Sequence, residues 1–521
     1  MPLDFNYQFH KFFSKNDMRL RDRFQFELKS EFTADSKFRK TRYVQDYYLF
    51  IPETLQINRE TYSKAQFYQD QTNYIRFKTP VFTLQDLLDP KKRSSPLNHL
   101  QKLLATGRGC LEMKCLIDEM KLFGNVARSS LREEVVSILS QMELVSILSQ
   151  MIEIDLEKKM EQIASLLSKF VDETRALYTS TEEIVQLVDK ELGNPELLEN
   201  IGYSKEFILR SIDFYCTMLL KRVRELNQDG AISELGQCDQ SLVLLIRDSS
   251  EFRSEVVNDR DAGKAEGFHF RRTLLNNYML EVLAIRIAKR AVEASYSQYV
   301  GALAAGFAMF VYLTLFIWKS NYLVINSMPF VFASVVLYIL KDRLKEAVKL
   351  AWQRQAGKWF PDYSLNLVEP KSEMSLGELN EHVSFMEMNR LPDEIIKMRN
   401  KEFHNTLERF RRPENVLYVR KELIIKDIKD SANKRRVELN TFLRLNVQRF
   451  LEKMSEPELP YQILDTASQE IITVKLPKVY HIDIIISDRL KSVGNGRTQG
   501  CQLRKFRLIL DKNGIKRVET F

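Results

Sequence analysis

Two segments in the C-terminal half of the chain carry the residue types best suited to chemistry. The first, Asn433 to Arg449, reads NKRRVELNTFLRLNVQR, and the second is the glycine-rich loop GNGRTQG. Guanidinium groups can pair with phosphates of lipids or nucleic acids, and glycine-rich backbone can present amides to an anion. The candidate anion contacts are Arg435, Arg436, Arg444, Arg449 and Arg497. A solvated helix face and an ordinary turn are the simpler explanations of the two segments.

Signatures of catalysis do not occur in the sequence. It contains no GxxxxGK[ST] phosphate loop and no GxSxG, HExxH or CxxC. The five cysteines are typical of reduced thiols, and the six histidines lie too far apart for a metal-ligand motif. The sequence therefore predicts no cofactor and no metal. It favours a protein that is not an enzyme, and an enzyme whose active site is assembled only in three dimensions is the alternative.

The least charged part of the chain lies between Ala294 and Leu340, where Lys319 is the only charged residue. The uncharged windows Ala294–Trp318 and Ser320–Leu340 each reach the roughly 20 residues that cross about 30 Å of hydrocarbon as a helix. A buried hairpin of a soluble protein is the alternative.

This pattern predicts a transmembrane helical hairpin over 294–341, with helices at about 299–318 and 322–340. Small residues spaced for close helix packing are Gly301, Ala305 and Gly306. Residues suited to the membrane interface are Trp318, Lys319, Trp352, Trp359, Lys341, Arg343 and Lys345. Asn326 and Pro329 make the second crossing the weaker of the two.

Basic residues flank the hairpin on both sides. Arg286, Lys289 and Arg290 precede it and a basic helix follows, whereas its turn offers only Lys319. The positive-inside rule then predicts an integral protein of the cell (inner) membrane with both termini in the cytoplasm.

The remaining chain is predicted to be mainly α with β-rich ends, an α+β helical membrane protein with large soluble arms. Alternating segments such as FQFELKSEF and YHIDIIISD predict strands, and Asn513-Gly514 predicts a hairpin turn. The predicted segments are 1–95, β-rich; 97–293, a long-helix bundle; 342–359, a basic juxtamembrane helix; 360–391, a linker; 392–457, basic and helical; and 458–521, β-rich. The two β-rich ends are hypothesised to share a sheet.

Two features support the helical assignments. Residues 396–457 hold 16 Lys and Arg against 9 Asp and Glu, with Leu439, Phe442, Leu443 and Val447 at helical spacing. A tandem repeat, EVVSILSQM from Glu134 followed by ELVSILSQM, places equivalent residues on opposite faces of one helix, because nine residues make two and a half turns. A tolerated duplication is the simpler interpretation of the repeat.

These patterns favour a membrane-anchored, cytoplasmic-facing scaffold, tether or regulator that acts through protein contacts. Its expected partners are the lipid bilayer and a protein or a second copy, with anionic lipid as a further candidate. A channel or transporter subunit is one alternative, although 294–340 contains no Asp, Glu, His or Arg. Anionic-lipid or nucleic-acid binding through the basic C-terminal helices is the other, and nucleic acid is weakly supported because aromatic residues do not interleave with the arginines.

Overall fold

The computed structural model describes residues 18–33, 40–106, 110–151, 156–192, 194–226, 233–250, 262–320, 327–370, 373–401, 413–426, 438–464, 469–492 and 498–521. Contacts divide the chain into a sheet unit (1–75, 285–434 and 438–521) and a helix unit (76–284 with 435–437). The protein is a mixed α+β chain, 55% helix and 31% strand, with large sheets. The prediction of a mainly helical membrane protein with strands confined to its ends is therefore wrong.

The strands of the protein build the sheets of the sheet unit. In chain order they are β1 (Met18–Leu20), β2 (Gln25–Thr33), β3 (Lys40–Pro52), β4 (Gln71–Phe77), β5 (Arg286–Ala291), β6 (Tyr363–Val368), β7 (Ser375–Met386), β8 (Glu414–Lys426), β9 (Glu438–Asn446), β10 (Glu458–Leu464), β11 (Ile471–Pro477), β12 (Tyr480–Ser492), β13 (Thr498–Asp511) and β14 (Gly514–Thr520). Eight form an antiparallel sheet in the order β14-β13-β12-β3-β8-β7-β6-β5. In it β3, near the start of the chain, lies between β12 and β8.

Helices occur in both units. In chain order they are α1 (Lys64–Asp70), α2 (Leu84–Leu88), α3 (Pro96–Thr106), α4 (Cys110–Met151), α5 (Leu156–Leu192), α6 (Pro195–Leu226), α7 (Ser233–Ser249), α8 (Ala262–Leu280), α9 (Val292–Ser320), α10 (Met328–Trp359), α11 (Asp393–Arg399) and α12 (Gln448–Leu451).

The core of the sheet unit lies between two sheets. A four-stranded sheet, β1-β2-β9-β4, packs on one face of the eight-stranded sheet. Because side chains alternate along a strand, Tyr47, Leu49 and Ile51 of β3 point to the same buried cluster as Phe26 and Leu28 of β2. The opposite face of the eight-stranded sheet, called the outer face below, is partly covered by α11, whose Ile395 packs near the strand residues.

The basic region 392–457 is not the predicted helix. Apart from the short α11 and α12, its described residues form β8 and β9. The spacing of Leu439, Phe442 and Leu443 fits a helix, but Leu439, Leu443 and Leu445 also alternate. Antiparallel pairing with β2, which sets Leu443 opposite Leu28, decides the outcome in favour of the strand.

The predicted linker 360–391 is also wrong, because it contains β6 and β7. On β7 the inward positions Leu379, Glu381 and Val383 are all buried. The charge of Glu381 interrupts the apolar alternation that marks a half-buried strand in a sequence. Its carboxylate is satisfied inside the protein by Lys421, at 3.1 Å, and by the Asn73 amide, at 2.6 Å.

The helix unit is a bundle of long helices. It ends earlier than the predicted residue 293, since α8 stops at Leu280 and β5 begins at Arg286. The tandem repeat lies within α4, where Val135, Leu139 and Met142 of the first copy are buried among neighbouring helices.

The helices α9 and α10 pack side by side in the sheet unit. Among the described residues, one helical run has the length and composition to cross a membrane, Gln298–Trp318 in α9. The apolar part of α10 extends from Met328 only to Leu340, about 20 Å at 1.5 Å per residue against about 30 Å of hydrocarbon. The predicted two-helix transmembrane hairpin is therefore not supported.

Both ends of this helix pair return to the same sheet. Strand β5 leads into α9, strand β6 follows α10, and the two strands pair antiparallel, with Ala291 opposite Tyr363. The amide of Val292 donates to the carbonyl of Asp362 at 3.3 Å. The chain therefore leaves and re-enters the sheet at neighbouring positions.

Candidate functional site

The apolar residues of α9 are mostly exposed. Only 17% of the Gln298–Trp318 run is buried. Its large apolar side chains, including Leu303, Phe307 and Phe310, stand in the open. A core helix of a soluble protein buries such residues, so α9 differs from one.

The small residues of α9 differ in burial. Ala304 and Ala308 of α9 are buried. A methyl group added at Gly301 or Gly306 would meet nothing within 4 Å, and Ala305 is only half-buried. Packing of Gly301, Ala305 and Gly306 against another helix within a membrane stays a prediction.

The predicted interface residues have different surroundings. Trp318, Trp352, Arg343 and Lys345 are exposed, and Arg343 lies 3.6 Å from Glu346. Lys341 lies over the ring of Tyr338, 4.0 Å from its centroid. The side chains of Lys319 and Trp359 lie outside the described part of the structure.

Of the predicted anion contacts, the structure describes Arg444 and Arg449. Arg444 pairs with Glu27, and Arg449 pairs with Asp70 at 3.1 Å. Because both arginines have carboxylate partners within the sheet unit, neither offers an open anion site. Arg435, Arg436 and Arg497 lie outside the described residues.

A different set of basic residues lines a groove on the outer face of the eight-stranded sheet. This basic groove has a volume of about 650 Å³, within the usual range for small-molecule sites. Its floor is formed by strands β3, β7 and β8, which contribute Arg42, His382 and Arg420. In register, His382 lies directly opposite Arg420, and Arg420 directly opposite Asp46.

Most basic groups in the groove have carboxylate partners, but for two of them the described residues supply none. Arg42 pairs with Glu422, Arg390 with Glu387 at 3.5 Å, and Lys64 with Asp362 at 2.6 Å. Within the described residues no carboxylate lies at ion-pair distance from Arg420 or Arg59. The Arg59 guanidinium donates to the carbonyl of Phe385, at 3.2 Å.

The acid opposite Arg420 in the strand register already has two partners. Asp46 is fully buried; the Tyr418 hydroxyl donates to its Oδ1 at 2.7 Å, and Arg489 pairs with its Oδ2. Burial raises the pKa of Tyr418, while the positive charge of Arg420 opposes the rise. The Tyr418 ring is thus fixed beside Arg420 as a neutral wall of the groove.

Asp362 contacts two residues that line the groove, Lys64 and His382. Strand β6 pairs with β7 only as far as Glu381, and beyond it Asp362 accepts the Val383 amide at 2.8 Å. Its Oδ2 also lies 3.4 Å from Nδ1 of His382. Burial raises the pKa of Asp362, but hydrogen bonds from His382, Lys64 and the Val383 amide outweigh burial and lower it to about 2. The carboxylate is therefore ionised near neutral pH and holds His382 in place.

An apolar cavity of about 270 Å³ adjoins the basic groove. Tyr62, Phe67 and Leu417 supply its apolar lining, and four residues line both spaces: Arg59, Lys64, Ser384 and Phe385. A polar space and an apolar space therefore share one wall.

A second polar cavity, of about 500 Å³, is a weaker candidate. The amide of Gln45 donates to Asp488 at 2.6 Å, and Arg504 pairs with the same carboxylate at 2.6 Å. Its charges already satisfy one another. The described residues hold no group of three or more His, Cys, Asp or Glu arranged for a metal ion.

Sequence reasoning missed the basic groove. Arg42, His382 and Arg420 lie on three strands that are far apart in sequence. Two of these strands fall in the segments predicted as a linker and as helical. Arg420 by itself forms no recognisable sequence motif, because its ion pairing depends on which carboxylates the fold brings near it.

Comparison with known proteins adds no family. The chain matches no family model, no curated protein and no solved structure.

Proposed function

We propose that this protein attaches to a membrane through α9 and holds its sheet unit at the bilayer surface, where it acts by binding other molecules. The observation that carries the proposal is the exposed apolar surface of α9. Its apolar run of 21 residues has a mean hydropathy of 2.2. Leaving so much apolar surface in water is costly, at about 25 cal/mol per Å², and lipid would remove that cost.

The start of α10 supports the same arrangement. Exposed apolar residues there, including Phe332 and Val335, lie on the helix that packs against α9. Beyond Leu340 the exposed residues of α10 include Arg343 and Lys345, which favour contact with anionic lipid headgroups.

The paired strands β5 and β6 support placing the rest of the sheet unit on one side of the membrane. Hydrogen-bonded strands cannot lie on opposite sides of a bilayer. With Arg286, Lys289 and Arg290 next to α9, the proposal places that side, with both termini, in the cytoplasm of a cell (inner) membrane.

Alkaline carbonate extraction of membranes from cells that express the full chain tests the attachment. We expect the wild type to remain in the membrane pellet and to require detergent for release. A Phe310→Lys substitution in α9 should lower the membrane-bound to soluble ratio about a hundredfold, since Lys at a helix centre costs about 3 kcal/mol in lipid.

The matched control is Phe270→Lys in α8, because Phe310 and Phe270 are 69% and 64% exposed. This control should leave the ratio unchanged. Wild-type protein that carbonate releases, or equal effects of the two substitutions, would refute the attachment. Protease added to intact cells should leave both termini intact, and their digestion would refute the cytoplasmic placement.

A further inference from the structure

We propose that the basic groove and the adjoining apolar cavity together bind an anionic amphiphile, a molecule with a phosphate or carboxylate head and an apolar chain. Arg420 and Arg59 would hold the head, and the cavity beside Phe67 and Leu417 would take the chain. The whole site lies in the sheet unit, so the proposal does not depend on the attachment of α9.

The first argument is the positive charge of Arg420. Arg420 is half-buried on the floor of the groove, and the described residues place no carboxylate at ion-pair distance from it. Removing a guanidinium from water without a counter-charge is costly. An anionic ligand would supply the missing partner, and the planar guanidinium matches both phosphate and carboxylate oxygens.

The second argument is that the neighbouring carboxylates on the strands already have partners. Asp46, the residue opposite Arg420, uses both carboxylate oxygens for Tyr418 and Arg489. Glu422, two residues along β8, pairs with Arg42. Asp362, on the other side of His382, is held by Lys64 and the Val383 amide.

The third argument is the shared wall. Arg59, Lys64, Ser384 and Phe385 line both spaces, so a molecule whose head lies in the groove can extend its chain into the cavity. A free phosphate ion would leave the apolar cavity unused, and a neutral lipid would leave the arginines unpaired. The combination of the two spaces favours a molecule with both parts.

The test is equilibrium dialysis of radiolabelled monooctyl phosphate against the full chain. The chain is held in nanodiscs of neutral phosphatidylcholine, with empty nanodiscs subtracted, or in buffer alone where carbonate extraction shows that it does not attach to membranes. We expect saturable binding that is at least tenfold tighter than the binding of monoethyl phosphate, since the longer chain buries more apolar surface. Arg420→Gln should weaken octyl phosphate binding at least tenfold, and Arg420→Lys should restore part of it.

The control is Arg517→Gln on β14, where the arginine is exposed and paired with Glu519. It should leave binding unchanged, and circular dichroism should show that all variants are folded. No saturable binding by the wild type, equal binding of the ethyl and octyl esters, or unchanged binding by Arg420→Gln would each overturn the proposal.

A second arm of the same experiment distinguishes a membrane lipid from a soluble ligand. Nanodiscs that contain phosphatidic acid should displace octyl phosphate if the head group of a bilayer lipid reaches Arg420. Undiminished octyl phosphate binding in those nanodiscs would assign the site to a free amphiphile.

Discussion

The helices α6 and α9 differ in the burial of their large apolar residues. In α6 the buried residues include Leu197, Phe207, Ile208 and Leu219, which face the neighbouring helices α4, α5 and α7. In α9 the main packing partner among the described helices is α10, and large residues such as Phe310 stay exposed. A helix with several packing partners buries its apolar residues within the protein, whereas a helix with one main partner leaves them for another apolar environment such as lipid. Apolar content alone does not decide between the two.

The largest expected effect comes from removing matched side chains from the two helices. Ile208 in α6 is fully buried and Ile317 in α9 is 62% exposed. Ile208→Ala should destabilise the helix unit by about 3 kcal/mol, because it leaves a cavity. Ile317→Ala should leave the stability of the sheet unit almost unchanged.

Hydrogen exchange of α6 and α9 peptides in the full chain would measure both effects separately, which matters because a chain of two units need not unfold in one step. Similar losses of protection at the two sites would break the comparison, since α9 would then be packed as α6 is.

Burial also has an electrostatic cost in the helix unit, and the tandem repeat offers a matched pair to measure it. Glu134 of the first copy is half-buried, and burial raises the pKa of its carboxyl to about 7. The equivalent Glu143 in the second copy is exposed. The unfolded carboxyl ionises near its ordinary value of 4.5.

The raised pKa means that stability contributed by protonated Glu134 is lost as the pH rises from about 4.5 to about 7. Glu134→Gln should therefore stabilise the helix unit at pH 8 by roughly 2 kcal/mol, allowing for partial exposure, with little effect at pH 4. Urea unfolding at the two pH values, with Glu143→Gln as the control, measures the difference. A gain that is the same at both pH values would contradict the assignment.

The smallest expected effect is at glycines within helices. Gly306→Ala should stabilise α9 by roughly 0.5 to 1 kcal/mol, since alanine has the better helix propensity and nothing lies within 4 Å of the added methyl. In α4, the same change at Gly124 would push against Cε of the buried Met279. Its gain should be smaller, as thermal unfolding followed by circular dichroism would show. An equal gain at both glycines would mean that the bundle is looser than its contacts indicate.

Sequence patterns located local features better than long-range ones. The uncharged run predicts a helix where α9 lies, and Asn513-Gly514 predicts a hairpin where β13 and β14 pair. Gly514 has a φ of 133°, a conformation that favours glycine. Such signals depend on a few neighbouring residues.

Features that depend on distant partners were misread. Strand β9 carries both helical and strand spacing, and only its pairing with β2 resolves the two. The basic groove forms only where the fold brings Arg42, His382 and Arg420 together. The charge of Arg420 is available to a ligand because Asp46, opposite it, is hydrogen-bonded to Tyr418. No short segment contains that information.

The pairing of β5 with β6 makes the helix pair a self-contained insertion. Ala291 and Tyr363 are direct partners across the two strands, so the ends that flank α9 and α10 are as close as the ends of a short β-hairpin loop. A tight turn could replace the two helices and leave Asp362 and the rest of the sheet in register. Because its two ends are close together, the segment α9–α10 could also be inserted into the hairpin of another protein.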